Sequence, residues 1–272
     1  MKSNFFAGVD IGSTTSKAVI VDDSMRIISQ TLQFTSFDRG QSGREVLDNA
    51  LKEEKLSFKA LTYVMATGYG RRSLSLANDV VPEIICHGKG TNKLYPGTRT
   101  IIDIGGQDSK VIEMDESGII SKFEMNDKCA AGTGRFFEVL TERLLGVSME
   151  ALGPLALKSE NPCSISSMCT IFAESEIISF LSEGLKKEDI SMGMNLSIVR
   201  RIIAMGKAGR ITFKEPIVFS GGVANNVGVN AAFEKVLGKK VNAIENPQFT
   251  GAYGAAIIAM EKHAKQRAAS SV

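Results

Sequence analysis

An ungapped internal repeat constrains the fold of this chain more than any other feature. Short blocks recur 93 positions later: Asp10-Ile11-Gly12, Ser16-Lys17 and Asp22 return as Asp103-Ile104-Gly105, Ser109-Lys110 and Asp115. In each copy an apolar segment precedes the first aspartate, and a glycine-containing turn and a second apolar segment follow it. This order is typical of a β-hairpin with an aspartate at the end of its first strand. We therefore expect an α/β protein of two similarly built lobes that face each other across a cleft.

The rest of the chain supplies a third strand for each hairpin and a set of helices. Apolar segments over residues 25–34 and 119–125 predict the third strands, and residues 132–145, 173–185 and 190–205 have helical periodicity. A last helix is predicted from about Gly251, with a frayed polar tail from Lys265. Pro96-Gly97 marks the crossing between lobes. The prediction is a lobe I of residues 1–98 and 252–272, and a lobe II of residues 99–251.

Charge and hydropathy exclude several classes of function. The chain has 32 Lys and Arg against 30 Asp and Glu, whereas nucleic-acid binding usually needs a strongly basic surface. The longest uncharged stretch, residues 216–233, contains several glycines and asparagines, unlike a membrane span. The N-terminus also lacks the pattern of a signal peptide. The prediction is a cytoplasmic protein that binds neither nucleic acid nor membrane.

The two hairpin turns carry groups that suit a polyphosphate. The first turn offers Gly12, Ser13, Thr14 and Thr15 beside Asp10 and Lys17, a set suited to a phosphate and its Mg²⁺. The second offers Gly105, Gly106, Gln107 and Asp108 beside Asp103, a set able to orient an attacking water. We expect catalytic roles for Asp10, Asp103, Gln107 and Asp108, with Asp10 and Asp103 holding Mg²⁺ directly or through water. A turn that merely needs glycine is the alternative, and the duplication argues against it.

Four motifs along the chain resemble those of a known ATPase superfamily. They are Asp10-Ile11-Gly12-Ser13-Thr14, Asp103-Ile104-Gly105-Gly106, Ser220-Gly221-Gly222-Val223-Ala224 and Gly251-Ala252-Tyr253-Gly254-Ala255. They are similar to the phosphate-1, phosphate-2, adenosine and connecting motifs of actin, the heat-shock chaperones and the sugar kinases. The resemblance implies ATP and Mg²⁺ between two ribonuclease H-like lobes. It also implies that Gly221, Gly222, Val223, Asn225 and Asn226 contact the nucleotide.

The cysteines raise a second question, since two of the four directly precede predicted helices. For Cys129 and Cys169 the helix N-terminus favours the thiolate that binds metal, and Lys128 does so for Cys129. A lone cysteine is otherwise most often a small buried apolar residue. Two thiolates cannot complete a four-thiolate cluster site, but a two-fold dimer would bring four together. Cys86 and Cys163 are expected to be incidental.

Three further stretches make the resemblance more specific. They are Ala66-Thr67-Gly68-Tyr69-Gly70-Arg71, Asn126-Asp127-Lys128-Cys129-Ala130-Ala131-Gly132-Thr133-Gly134-Arg135-Phe136 and Cys169-Thr170-Ile171-Phe172-Ala173-Glu174-Ser175-Glu176. They look like the activator ATPases of 2-hydroxyacyl-CoA dehydratases, which are related to the ATPase subunits of benzoyl-CoA reductase.

That resemblance implies an oxygen-sensitive homodimer with one [4Fe–4S] cluster between its subunits, bound through Cys129 and Cys169. Gly132 and Gly134 would belong to the cofactor-binding set. ATP hydrolysis would drive a single low-potential electron, received from ferredoxin or flavodoxin, into a partner iron–sulfur enzyme.

Two other functions are compatible with the superfamily motifs. A small-molecule kinase of the same fold would use an aspartate as base and would need no paired cysteines. An ATP-gated binding protein like the heat-shock chaperones would need a large peptide-binding segment, for which 272 residues leave no room beside two lobes.

Overall fold

The computed structural model describes residues 4–166 and 169–270; residues 1–3, 167–168 and 271–272 lie outside that description. The contacts divide the chain into two compact units. The first unit runs to Pro96 and resumes at Gln248, and the second unit is Gly97–Pro247. The boundaries expected from the sequence, after residues 98 and 251, lie slightly further along the chain.

The first unit contains one five-stranded sheet in the order β3-β2-β1-β4-β5. Strands β1, β2 and β3 are antiparallel neighbours, while β4 runs parallel to β1 and β5 runs parallel to β4. Its elements are β1 (Phe5–Ile11), β2 (Thr15–Asp22), β3 (Ile27–Phe34), α1 (Arg39–Glu53), β4 (Leu61–Thr67), β5 (Asp79–Val80), α2 (Glu83–Leu94) and, after the second unit, α8 (Thr250–Ala269).

The second unit repeats this topology with a sheet in the order β8-β7-β6-β9-β10. Here β6, β7 and β8 are antiparallel neighbours, while β9 runs parallel to β6 and β10 runs parallel to β9. Its elements are β6 (Thr100–Ile104), β7 (Ser109–Met114), β8 (Ile120–Asn126), α3 (Gly134–Leu140), α4 (Met149–Ala156), α5 (Thr170–Ser182), α6 (Lys187–Ala208), β9 (Ile217–Ser220), α7 (Val227–Leu237) and β10 (Val241–Ala243). The two predicted hairpins are therefore confirmed.

Strand alternation sends side chains to both faces of the first sheet. In β1, Ala7 and Val9 pack in the apolar cluster that includes α1, whereas Phe6 packs in the cluster that includes α8. At Gly8 a Cβ would stand 1.9 Å from the Ala252 carbonyl oxygen, so α8 lies directly on the strand. A side chain at position 8 would force this helix away from the sheet.

Two helix predictions need correction. The helix expected over residues 132–145 begins at Gly134, because Gly132 has a φ of +89° and Thr133 is extended. It stops at Leu140 and continues as a wider π-type turn, Thr141–Leu145. The polar tail expected from Lys265 is helical as far as Ala269.

The other boundaries follow from local chemistry. The side chain of Asn226 accepts hydrogen bonds from the N–H groups of Gly228 and Val229 and so caps α7, which ends at Gly238 in the left-handed region. No helix among residues 4–166 and 169–270 is long and apolar enough to cross a membrane.

Candidate functional site

The first predicted phosphate turn joins β1 to β2. Asp10 is buried at the end of β1, and its Oδ2 lies 3.7 Å from Nζ of Lys17 on the neighbouring strand. The Gly12 N–H donates to the Thr15 carbonyl at 3.1 Å, which closes the turn around residues 13–14. The Lys17 ammonium stands 3.6 Å from the position that a Cβ on Gly12 would take. The turn therefore presents hydroxyl groups and one positive charge, both of which suit a phosphate.

The second turn has the same backbone but a different charge distribution. The Gly105 N–H donates to the Asp108 carbonyl at 2.9 Å. Lys110 Nζ lies 2.6 Å from Asp108 Oδ2 and 3.5 Å from Asp103 Oδ1, and the side chain of Lys110 is only 3% exposed. The Ser220 hydroxyl donates to the other oxygen of Asp103 at 2.7 Å. Two carboxylates thus share one buried ammonium, which leaves the cluster with net negative charge.

In each sheet a glycine with positive φ follows the next parallel strand and packs against the end of the hairpin. Gly68 follows β4 and Gly221 follows β9, and both have a φ of +82°. A Cβ on Gly68 would lie 2.4 Å from Asp10 Oδ1, and a Cβ on Gly221 would lie 2.4 Å from the Ile104 carbonyl oxygen. A side chain is therefore excluded at both positions by space as well as by backbone conformation. The hairpin ends and the turns after the parallel strands form one packed unit in each sheet.

The predicted adenosine motif forms a short 3-10 turn, Gly222–Asn225, between β9 and α7. Val223 is buried and stands 3.5 Å from the position of a Cβ on Gly134. Asn225 is exposed, and Asn226 caps α7. Within the second unit, the adenosine motif therefore touches the start of α3.

The start of α3 is also bonded to the second phosphate turn. The Gly134 N–H donates to the Gly105 carbonyl, and the Arg135 N–H donates to the Gly106 carbonyl, each at 2.8 Å. Gln107 is exposed at the tip of this turn. Cys129 lies in the loop just before α3. The sequence assigned Gly105, Gly106, Gly132 and Gly134 to a cofactor site. The structure brings Gly134 against Gly105 and Gly106, whereas the side chain of Arg201 lies beside Gly132.

The four cysteines have different environments. Burial raises the pKa of the Cys86 thiol to about 12, and burial followed by the negative charge of Asp189 raises the pKa of Cys163. Cys129 is half-buried and Cys169 is exposed at the N-cap of α5. Among residues 4–166 and 169–270 no three His, Cys, Asp or Glu side chains are grouped as a metal site.

Several residues of these sites were not assigned by sequence reasoning. Lys110 was visible as the repeat of Lys17, and Ser220 lies within the adenosine motif, so both carried a signal. Gly68 lies in one of the family-like stretches, but its close approach to Asp10 was not predicted, and buried His87 belongs to no motif. Both depend on contacts between elements that are distant in the chain.

The comparisons with known proteins agree with this geometry. A model of the BadF/BadG/BcrA/BcrD ATPase family matches residues 7–259, and the chain belongs to that family. It is 45% identical over 260 residues to the activator of lactoyl-CoA dehydratase from Anaerotignum propionicum, covering 95% of this chain and 98% of that protein. It is 43% identical over 270 residues to the (R)-2-hydroxyglutaryl-CoA dehydratase activating ATPase of Acidaminococcus fermentans, covering 97% and 100%.

A solved structure shows the same fold. The activator of the 2-hydroxyisocaproyl-CoA dehydratase from Clostridium difficile, with bound ADPNP, superposes with a TM-score of 0.90 at 40% identity and covers 97% of both chains. The predicted fold class, two ribonuclease H-like units of the actin, heat-shock chaperone and sugar-kinase type, is confirmed. The resemblance to dehydratase activators is confirmed as well.

Proposed function

We propose that this chain is an ATP-dependent one-electron carrier for a partner iron–sulfur enzyme. The working form is a homodimer with one [4Fe–4S] cluster between its subunits, held by Cys129 and Cys169 of each. The partner is a 2-hydroxyacyl-CoA dehydratase or a related reductase, and ferredoxin or flavodoxin supplies the electron. Family membership and the similarity to two dehydratase activators support this choice.

The observation that carries the proposal is the backbone link between the second phosphate turn and α3. Gly134 and Arg135 donate to carbonyls of Gly105 and Gly106, and Cys129 lies five residues before Gly134. Any change in the turn when a phosphate binds or leaves is therefore transmitted to the start of α3 and the cysteine loop. A kinase of this fold has no need for such a link to a thiol.

The charges at the two turns support opposite tasks in nucleotide binding. In the first turn Lys17 and the hydroxyl groups suit a phosphate. In the second turn the excess negative charge of Asp103, Asp108 and Lys110 suits a cation or a polarised water. Mg²⁺ commonly keeps several of its waters, so carboxylates already engaged by an ammonium or hydroxyl fit contact through water. Asp10 and Asp103 are the residues that would hold it.

The cysteines fit an iron–sulfur cluster shared between two copies. Cys86 and Cys163 are buried away from solvent or have a raised pKa, which disfavours the thiolate that iron needs. Cys169 is the exposed thiol among the four, and Cys129 is half-buried in the loop before α3. Ile171 and Phe172, in the first turn of α5 beside Cys169, are 71% and 65% exposed. These apolar side chains suit burial against a second subunit around the cluster.

A [4Fe–4S] cluster supplies a centre that accepts and releases one electron at a time. The chain's own residues would set the conditions for that transfer. Cys129 and Cys169 bind the iron, Lys17 attracts the nucleotide phosphates, and the bonded backbone of residues 105–106 and 134–135 relates the phosphate turn to the cysteine loop.

The test is purification without oxygen, with iron, sulfide and subunit mass measured on the wild type and four single variants. Cys129→Ala and Cys169→Ala should give colourless protein, because each removes two of four thiolates from a dimer. Cys86→Ala and Cys163→Ala are the matched controls and should keep about four iron atoms per dimer. Chelation rates in ADP and ATP then report whether the nucleotide alters access to the cluster.

A coloured Cys129→Ala protein with full iron would overturn the assignment of the ligands. Wild-type protein that is colourless and monomeric, yet transfers phosphate from ATP to a small hydroxyl compound, would identify the chain as a kinase.

A further inference from the structure

Two side chains donate to the aspartate of the second hairpin, Asp103, and the aspartate of the first hairpin, Asp10, has an equivalent of only one of them in the strand register. Asp103 is held by Lys110 from the paired strand and by the hydroxyl of Ser220 from the end of β9. Asp10 has Lys17 in the place of Lys110, since both lysines face their aspartates in the strand register. The question is which residue donates to Asp10 as Ser220 donates to Asp103.

The strand register places Thr67 at the position equivalent to Ser220, but Thr67 does not donate to Asp10. Thr67 pairs with Asp10 as Ser220 pairs with Asp103. The Thr67 hydroxyl, however, donates its single hydrogen to the carbonyl of Val81 at 2.9 Å. Thr67 is therefore not the counterpart of Ser220, and a second donor to Asp10 would have to lie on another element.

His87, on α2, occupies the required place. It is buried, and a Cβ on Gly251 would stand 3.2 Å from His87 Nε2 and 3.1 Å from Asp10 Oδ2. The two polar atoms thus face one small space above Gly251, and we take a single water there to join them. The absence of a side chain at Gly251 keeps this space open.

The other ring nitrogen indicates which tautomer fits. His87 Nδ1 lies 3.3 Å from Oγ1 of Thr250, the first residue of α8, whose side chain is buried. A carboxylate can only accept, whereas a hydroxyl can donate. The arrangement that satisfies both neighbours has the hydroxyl donating to Nδ1 and Nε2–H directed toward Asp10.

We propose that His87 is a positioning residue for Asp10, oriented by Thr250 and acting in the first hairpin as Ser220 acts in the second. By fixing the rotation of the Asp10 carboxylate, it would orient the oxygen through which Asp10 would hold Mg²⁺ or one of its waters. This inference rests on the proposed nucleotide site. Groups that orient a metal-binding carboxylate typically change metal affinity or activity by roughly ten- to a hundredfold when they are removed.

The test measures binding of ADP with and without Mg²⁺ to the full chain, together with kcat and KM for ATP hydrolysis. His87→Leu should weaken the Mg²⁺-dependent binding or lower kcat by roughly tenfold or more while metal-free ADP binds as before. His87→Gln, whose amide nitrogen reaches the position of Nε2, should restore most of the loss. Thermal unfolding of each variant reports whether it is folded.

Thr250→Val tests the second half of the arrangement against a matched control. It removes the hydroxyl that orients the imidazole and should lower kcat by about fivefold, the value of one neutral hydrogen bond. Thr91 is buried on the same helix as His87, and its hydroxyl has no hydrogen-bond partner within residues 4–166 and 169–270. Thr91→Val should therefore leave hydrolysis and Mg²⁺ dependence unchanged.

Unchanged Mg²⁺ dependence and kcat in His87→Leu would overturn the proposal, as would equal defects in His87→Leu and His87→Gln, because a packing role would not distinguish a donor. Asp10→Asn separates the two levels of inference. If Asp10→Asn also leaves Mg²⁺-dependent binding unchanged, the nucleotide site proposed at the first hairpin is wrong. If Asp10→Asn loses Mg²⁺-dependent binding and His87→Leu keeps it, only the role of His87 is wrong.

Discussion

The two copies of the repeated hairpin have nearly the same backbone but opposite charge at the same point. In the first copy, the space beside the turn glycine, Gly12, holds the ammonium of Lys17. In the second, the space beside Gly105 holds the carboxylate of Asp108, 2.3 Å from the position of a Cβ. The duplicated scaffold thus positions a positive charge in one unit and a negative charge in the other. This difference is what suits one turn to a phosphate and the other to a cation or water.

The copies also differ in how far they are closed to water. Lys17 is 15% exposed and lies 3.7 Å from Asp10, so the first pair is loose enough to engage a ligand. Lys110 is 3% exposed and contacts two carboxylates and no open surface. The groups of the second cluster contact one another out of reach of water, and the integrity of the cluster is therefore a matter of folding as much as of catalysis.

The largest effect should come from breaking the buried cluster. Lys110→Met leaves two buried carboxylates without their cation, which should lower the free energy of unfolding by about 3–5 kcal/mol. Lys17→Met should cost less, because water reaches that pair, but it should weaken nucleotide binding more. Denaturant unfolding and ADP titration of both variants measure the two effects. Equal destabilisation by the two substitutions would contradict the difference in burial.

The aspartates test whether the two hairpins contribute to one reaction. Asp10→Asn and Asp103→Asn each remove a charge next to the proposed metal, and each should slow ATP hydrolysis by about 100-fold or more. Steady-state hydrolysis with saturating Mg²⁺ is the measurement. Loss in one variant alone would mean that only one copy of the repeat is functional, and wild-type rates in both would leave the hairpins as simple turns.

The smallest effect concerns Glu113, whose counterpart in the first copy is buried Ile20. Burial opposes ionisation of Glu113, but the N–H of Thr212 and the ammonium of Lys214 donate to its carboxylate and hold its pKa below the ordinary 4.5. Because the folded-state pKa is the lower one, this stabilisation is present above about pH 4.5 and is lost as the pH falls through the lowered value.

Glu113→Gln should therefore flatten the loss of stability in acid, measured by denaturant unfolding between about pH 5 and pH 3. The change should be modest, because Lys214 is half-exposed and screened by water. A variant that loses stability with pH as steeply as the wild type would assign the acid sensitivity to other carboxylates.

Much of the fold could be predicted because its signals are local. Each hairpin is encoded in about twenty consecutive residues, with alternating apolar strands, a glycine turn and an aspartate at a constant position. The duplication made both copies visible at once. Two of the cysteines also carried a local signal, since Cys129 and Cys169 precede helices and Cys86 lies within one.

The helix after Cys129 was predicted too long for a conformational reason. Its apolar periodicity extends over residues 132–145, but Gly132 has a positive φ and residues 141–145 form a wider turn. Periodicity records which side chains are buried and does not record where the backbone leaves helical geometry.

The sequence alone determined the repeated scaffold, the positions of Asp10 and Asp103 in it, and the family to which the chain belongs. Tertiary structure decided which groups surround those aspartates. Lys110 turns inward to Asp108, Gly68 packs against Asp10, and Thr250 meets His87 across 163 positions of the chain. The reason is physical: strand and turn preferences act between neighbours in sequence, whereas a carboxylate's charge and orientation depend on donors brought from elements far apart along the chain.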